Sequence, residues 1–331
     1  MHTTTLGRTG LPVTPVGLGL AALGRPAYIN LRRDRDIGSR RSVDDMERRC
    51  HSVLDAAYRS GIRYFDAARS YGYAERFLAS WLEGRAIQPG HVTVGSKWGY
   101  TYVGEWRLDA PVHEVKDHSL PALKRQYAES NSLLGAHLSL YQIHSATLDS
   151  RVLDDRAVLT ELASMRDGGP AIGLSLSGPG QKDTLRRALA VAVDGVNPFS
   201  CVQATFNILE PSAGRALADA HAAGWGVIVK EALANGRLTS PPDREGSPDA
   251  HAVLDEVAQR RGLAFDALAV SWVLSHDFVD VALSGAVTTD QLYSNIAGLD
   301  VTLSGEELAA LSSAAETPEA YWEHRRALAW S

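Results

Sequence analysis

Short apolar runs alternate with longer amphipathic stretches along almost the whole chain, and this alternation restricts the available folds more than any other feature. Strand-like runs fall near residues 14–18, 62–66, 91–96, 138–143, 171–175, 200–204, 226–230 and 280–284. Helical patterns occupy Val43 to Ser60 and 74–84, 112–134, 155–167, 180–192, 213–223, 250–261 and 265–275. In the first of these, Met46, Cys50, Val53, Leu54 and Ala57 recur at helical spacing, Ser42 with Asp44 and Asp45 marks the start, and Gly61 marks the stop. Strand-then-helix repetition is the pattern of parallel βαβ units, and about eight of them close into an α/β barrel. A length of 331 residues suits such a barrel as one domain covering 1–331. The competing architecture, a doubly wound open sheet, announces itself by a glycine fingerprint in the first strand-helix turn. Here Gly17-Leu18-Gly19-Leu20-Ala21-Ala22 lacks the third glycine, so the expected fold is a (β/α)8 TIM barrel.

Composition narrows the partners. Hydrophobic residues make up 45% and charged residues 22%, an ordinary balance for a chain with a substantial core. A net charge of −6 without a lysine and arginine block argues against a nucleic-acid groove. Arg32-Arg33-Asp34-Arg35 is interrupted by acid and reads as a solvated loop. Cys50 and Cys201 form neither a disulfide framework nor a zinc site, and no metal is expected. With no signal segment and no long apolar run, the expectation is a cytoplasmic protein without a membrane partner.

Four polar groups stand at or just beyond the ends of apolar runs. Ile62-Arg63-Tyr64-Phe65 ends in Asp66, with Tyr71 shortly after; His91-Val92-Thr93-Val94-Gly95-Ser96 ends in Lys97; Leu138-Ser139-Leu140-Tyr141-Gln142-Ile143 ends in His144. Taken singly, each has an ordinary role: Asp66 caps a helix, Tyr71 covers a core edge, His144 is a satisfied core histidine. Lys97 is more demanding, because an unpaired buried ammonium is costly and calls for an anion such as Asp66. Ligands of parallel barrels collect at the carboxyl ends of strands, so the four converge. There Lys97 lowers the pKa of the Tyr71 phenol, Asp66 holds Lys97, and His144 orients a substrate carbonyl. The set moves protons but stores no electrons, so a redox reaction needs a bound hydride carrier.

These residues resemble the aldo-keto reductase superfamily over nearly the whole chain. Leu6-Gly7-Arg8-Thr9-Gly10-Leu11 looks like its N-terminal hairpin, Phe65-Asp66-Ala67-Ala68-Arg69-Ser70-Tyr71-Gly72 like its Asp and Tyr motif, and Ser96-Lys97 and Gln142-Ile143-His144 fall where its lysine and histidine do. The resemblance implies a catalytic tetrad of Asp66, Tyr71, Lys97 and His144 in an eight-stranded barrel with an N-terminal β-hairpin and a C-terminal helical extension. It also implies an extended nicotinamide dinucleotide, NADP(H) or NAD(H), whose hydride passes to a carbonyl carbon while the tyrosine protonates the oxygen.

The same resemblance implies that Ser175 and Gln203 hold the nicotinamide carboxamide, with Leu176 where the family has an asparagine. Gln291 and Asn295 match residues near the adenine and ribose. Strand seven departs from the pattern, reading Val229-Lys230-Glu231-Ala232-Leu233-Ala234-Asn235-Gly236 where relatives carry an aromatic and a small hydroxyl residue. Lys230, Leu233 and Gly236 are placed beside the cofactor on this basis, with Lys230 facing a phosphate or pairing with Glu231. This segment looks most like a branch with sugar and pyridoxal dehydrogenases. Cations that commonly hold a 2′-phosphate are absent from 285–291, which leans toward NAD(H).

Trp98, Tyr100 and Trp106 follow Lys97 and are candidates for the substrate pocket. The long stretch 24–41 is expected to fold over the barrel mouth, Ser240 to Pro248 to clamp the cofactor, and Tyr321, Trp322 and Trp330 to complete the pocket or pack the flank. The expected activity is hydride transfer between the nicotinamide and a small carbonyl, alcohol or sugar hemiacetal. Two alternatives stand beside it: a lyase or aldolase with a Schiff base on Lys97 or Lys230, and a cofactor-binding regulatory protein with little turnover.

Overall fold

The alternation resolves into a closed barrel of parallel strands in the computed structural model, which describes residues 1–31, 33–239 and 248–330. A short antiparallel hairpin, β1 (Thr4–Thr5) and β2 (Pro12–Val13), precedes the first barrel strand, β3 (Val16–Gly19). The following loop carries a small helix, α1 (Arg33–Ile37), before α2 (Val43–Arg59), whose N-cap Ser42 accepts the Asp45 N–H. Next come β4 (Tyr64–Asp66), α3 (Ala74–Gly84), β5 (Thr93–Trp98), a β6 (Tyr100–Tyr102) and β7 (Glu114–Lys116) ribbon, α4 (Leu120–Leu134) and β8 (Leu138–Ala146). The second half repeats more regularly: α5 (Arg156–Arg166), β9 (Ala171–Leu176), α6 (Gln181–Leu189), β10 (Cys201–Thr205), α7 (Gly214–Ala222), β11 (Gly226–Lys230), α8 (Pro248–Arg261), α9 (Phe265–Leu274) and β12 (Val281–Ser284). Three helices follow, α10 (Thr289–Ile296), α11 (Gly305–Ser312) and α12 (Pro318–Ala327). The barrel runs β3-β4-β5-β8-β9-β10-β11-β12 and closes through β12 to β3.

Strand alternation decides what lies inside. Tyr64, Leu140, Cys201, Ile228 and Val281 form one inner cluster, and Leu6 and Val13 of the hairpin join it. Their neighbours Phe65, Tyr141, Val202, Val227 and Ala282 point outward into the larger core beneath the helices. Two residues beyond each inner position lies another inward side chain, which places Asp66, Gln142, Gln203 and Lys230 above the hydrophobic floor. Both cysteines are free and buried.

The sequence pattern at 112–134 suggests one helix, but only its second part is helical. Glu114–Lys116 instead pairs antiparallel with Tyr100–Tyr102, because the aromatic segment after β5 offers a free edge before the Ser119 cap starts α4. Of the stretch expected to clamp the cofactor, Ser240 to Ser247 lies outside the described residues, and Pro248 opens α8. No helix among the described residues is long and apolar enough to cross a membrane.

Candidate active site

Asp66, at the end of β4, is the hub of the charged floor. Its Oδ2 accepts from Lys97 Nζ at 2.5 Å, and its Oδ1 accepts from Tyr64 Oη at 3.1 Å and Gln203 Nε2 at 2.9 Å. Lys97 is fully buried and also donates to the Ala67 carbonyl at 2.9 Å, while its Nζ stands 3.5 Å from Tyr71 Oη. The His144 ring meets that of Tyr71 edge-on at 5.4 Å, and its Nδ1 lies 3.3 Å from Ser70 Oγ. The four residues at strand ends do converge.

Their protonation departs from the sequence expectation. Burial, then the Asp66 charge, pushes the Tyr71 phenol well above its ordinary value, with Arg25 pulling the other way. Lys97 Nζ, 3.5 Å from the phenol oxygen, is itself clamped by Asp66, whose charge opposes its effect on the phenol. Arg25 also acts on the ring, its guanidinium 5.4 Å from the centroid, with Lys97 Nζ at 4.9 Å. Burial, reinforced by Lys97 and Arg25, pushes His144 well below the usual imidazole value and keeps it neutral. The two shifts run in opposite directions but both favour the uncharged form at neutral pH: phenol protonated, imidazole neutral. The rate of carbonyl reduction is therefore expected to show no inflection near pH ~6.5 and to fall only above pH ~10, where the phenol begins to lose its proton. A kcat–pH profile measures this, and a step near the ordinary histidine value would contradict it.

The Tyr71 loop is locked by glycine. A Cβ on Gly24 would meet the Tyr71 carbonyl oxygen at 2.2 Å, and the Gly24 carbonyl accepts the Tyr73 N–H at 2.7 Å. Gly24→Ala is expected to displace Tyr71 and cut kcat about tenfold or more, since misplacement of ~1 Å is costly in catalysis. Steady-state kinetics beside a thermal melt would separate this from unfolding.

A cavity of about 630 Å³ opens above the floor. Asp66, Tyr71, Tyr100 and His144 line one part of it, Gln203, Lys230, Leu233 and Gly236 another, and Gln291 and Asn295 another still. Lys230 donates to Thr205 Oγ1 at 2.8 Å and lies 3.8 Å from Glu231, so the expected pairing with Glu231 is present. Burial pulls the Lys230 ammonium down to about 8, against the pull of Glu231. Gln291 donates to Asp36 at 2.6 Å and accepts the Val287 N–H at 2.9 Å, while Asn295 donates to Ser284 Oγ at 3.4 Å.

Three sequence assignments need correction. Trp98 follows inward-facing Lys97, so alternation turns it outward; it is fully buried against His118 and does not line the cavity. Trp106 stacks on Tyr73 at 4.9 Å and donates to the Arg41 carbonyl, away from the cavity. Ser175 is buried beneath the end of β8, where its Oγ accepts the Ser145 N–H at 2.8 Å; Ser177 lines the cavity and Ser175 does not. Leu176 is likewise buried outside the cavity, and so are Tyr321 and Trp322.

The structure also brings in residues that the motifs did not mark. The loop after β3 does cross the mouth, and Arg25, Tyr28, Ile29, Leu31 and Asp36 line the cavity from it. Leu31 N–H donates to the Asn235 carbonyl at 3.0 Å, and Asn235 Nδ2 returns a bond to Ile29 at 2.9 Å. Trp330 stacks on His113 at 4.2 Å and covers Arg25 at 4.8 Å. Arg25 is paired to Glu114 at 2.8 Å, and Arg325 clasps Glu231. The length of the 24–41 loop and the aromatic Trp330 near the chain end were the sequence signals for this wall.

A family model described as "Aldo/keto reductase family" matches residues 16–316. The chain belongs to this family. Among curated relatives of this aldo/keto reductase, pyridoxal 4-dehydrogenase of Microbacterium luteolum is 25% identical over 93% of this chain and 96% of its own. NADH-specific methylglyoxal reductase of Escherichia coli is 25% identical over 95% of this chain and 98% of its own. Among solved structures, the holo form of aldo-keto reductase AKR11C1 from Bacillus halodurans has a TM-score of 0.70 at 22% identity, covering 96% of this chain and 97% of its own. The protein is an oxidoreductase enzyme of aldo/keto reductase type, and its barrel is the fold of these relatives.

Proposed function

We propose that this aldo/keto reductase exchanges hydride between a nicotinamide dinucleotide and a small carbonyl, alcohol or sugar hemiacetal. The supporting observation is continuity: one cavity joins Asp66, Tyr71 and His144 to Gln291 and Asn295, which suits an extended ligand with its reactive end at the tetrad. The lining fits such a group in two further respects. Gly285 leaves open space where a Cβ would stand, and Asn235 Oδ1, buried without a hydrogen-bond partner, can accept from a ligand donor. The nicotinamide supplies the hydride when bound; these side chains supply protons and position.

Tyr71 is the proton donor to the carbonyl oxygen, because its phenol is protonated and faces the cavity beside His144. Neutral His144 donates a hydrogen bond to the same oxygen and fixes its direction. Lys97, clamped by Asp66, presents a fixed positive charge behind the phenol that steadies the phenolate as the proton leaves. Gln203 gives one amide N–H to Asp66 and keeps its carbonyl oxygen and second N–H for the nicotinamide carboxamide. Lys230, Leu233, Gly236, Gln291 and Asn295 complete the cofactor wall. Tyr28, Tyr100 and Trp330 form an aromatic surround suited to a planar or sugar ring and exclude water from the reacting atoms. Pyridoxal and methylglyoxal, named for two of the relatives, head the substrate panel.

Titrating purified protein with NADH and NADPH, then following nicotinamide absorbance across aldehydes, ketones and sugars, tests the reading. Failure to bind either dinucleotide ends it. The lowered pKa of Lys230 favours a second reading, an imine-forming lyase at that residue. Borohydride trapping of a carbonyl substrate on Lys230 would support the second reading against the first.

A further inference from the structure

The adenosine side of the cavity is lined by carboxylates. Asp36 on α1, Asp266 on α9 and Asp290 on α10 reach it beside Gln291 and Asn295. Among the described residues, the paired cations that line the cavity lie elsewhere: Arg25 is held at Glu114 over Tyr71, Lys230 at Thr205 and Arg325 at Glu231, and Arg326 follows Arg325 in the last turn of α12. Arg49 bonds the Asp36 and Ile37 carbonyls but does not line the cavity.

The position of Asp36 is built by the loop that carries it. Arg33, fully buried, gathers the Ala22, Arg25 and Pro26 carbonyls around its guanidinium, which folds the loop after β3 back on itself. The paired bonds between Asn235 and the Ile29–Leu31 backbone then fasten the loop across the cavity. This delivers Asp36 to Gln291 Nε2 at 2.6 Å, between residues 255 positions apart in the chain. The bond uses Asp36 Oδ2 and leaves Oδ1 as a second acceptor.

We infer that Asp36 is a specificity-determining residue that accepts a ribose hydroxyl of the dinucleotide and rejects a 2′-phosphate, selecting NAD(H) over NADP(H). The inference rests on the proposed nicotinamide reading and extends it to one residue. A carboxylate forms charge-assisted bonds with a vicinal diol. The same carboxylate set against a phosphate dianion suffers like-charge repulsion, and among the described residues no lining cation on that side offsets it.

Calorimetric titration of the full chain with NADH and with NADPH reads this directly, without turnover. Wild type is expected to bind NADH about tenfold or more tighter than NADPH, the scale set by one unfavourable charge pair. Asp36→Asn keeps the size and one oxygen for Gln291, and is expected to bring the two affinities close to parity with an unchanged thermal midpoint of the free protein. Equal or tighter NADPH binding by wild type overturns the inference while leaving the nicotinamide reading intact. An unchanged preference in Asp36→Asn, or an equal loss of both affinities, also overturns it by reducing Asp36 to a structural prop. Binding of neither dinucleotide removes both the inference and the reading beneath it.

Discussion

Tyr71→Phe is expected to lower kcat for carbonyl reduction by about 10²–10⁴-fold, the usual worth of a positioned acid, while cofactor affinity stays near that of wild type. The ring keeps its surroundings in this variant, because His144 meets it edge-on at 5.4 Å and Arg25 lies 5.4 Å from its centroid. Only the hydroxyl goes, and with it the 3.5 Å contact to Lys97 Nζ. Neutral His144 can still donate a hydrogen bond to the substrate, so residual activity is expected. Burial and the Asp66 charge keep the proton on the phenol. The phenol therefore stays protonated and available to a carbonyl that gains negative charge as hydride arrives, and alcohol oxidation is the direction that rises with pH. Single-turnover rates for the two proteins, measured with bound cofactor, test the assignment. A rate within about twofold of wild type would transfer the acid role away from Tyr71.

The largest effect on stability is expected from Arg325→Ala, at about 3–5 kcal/mol, the cost of stranding one member of a buried ion pair. Arg325 Nε donates to both carboxylate oxygens of Glu231, at 2.8 and 3.0 Å, and Nη2 adds a bond at 2.5 Å. Glu231 has a backbone φ of 57°, a left-handed conformation that limits its freedom to turn toward water. Burial pushes its carboxyl up, yet Arg325 and Lys230 more than compensate and hold it at about 2, below the ordinary 4.5. The pair's contribution is therefore complete above the ordinary value and is lost as pH falls from 4.5 toward about 2. Urea unfolding at neutral pH should show the full difference between wild type and variant, and the gap should narrow in acid. A neutral-pH difference below ~1 kcal/mol would class the bridge with surface pairs. Because Glu231 lines the cavity beside Lys230, the same variant should also weaken cofactor binding.

Asp66 and His144 were legible in sequence because they sit at inward positions just above the barrel floor. Asp66 lies two residues beyond inward-facing Tyr64, and His144 four beyond Leu140, so strand alternation alone places them. The same rule, applied strictly, excludes Trp98, which takes the opposite parity to Lys97 and packs under the helices. Ser175 has the right parity but falls where the pairing of β8 and β9 slips between Ile143 and Ala146, and it is spent on the Ser145 N–H. Nothing in the local pattern signals a slip of that kind. Arg25, Asp36 and Glu114 were not marked because each enters the cavity from the loop after β3 or from the β6–β7 ribbon, where no periodicity dictates direction.

What the amino-acid order determined by itself was the barrel and the convergence of four polar groups, because both follow from short-range alternation repeated along the chain. What only the tertiary structure decided was the wall of the cavity and the charge states within it. Asp36 reaches Gln291, Arg325 reaches Glu231 and Gln203 reaches Asp66 across 255, 94 and 137 positions. The proton on Tyr71 depends on a carboxylate and a buried setting assembled from several strands. Electrostatic free energies depend on distance and burial in three dimensions, and neither quantity exists until the barrel has closed.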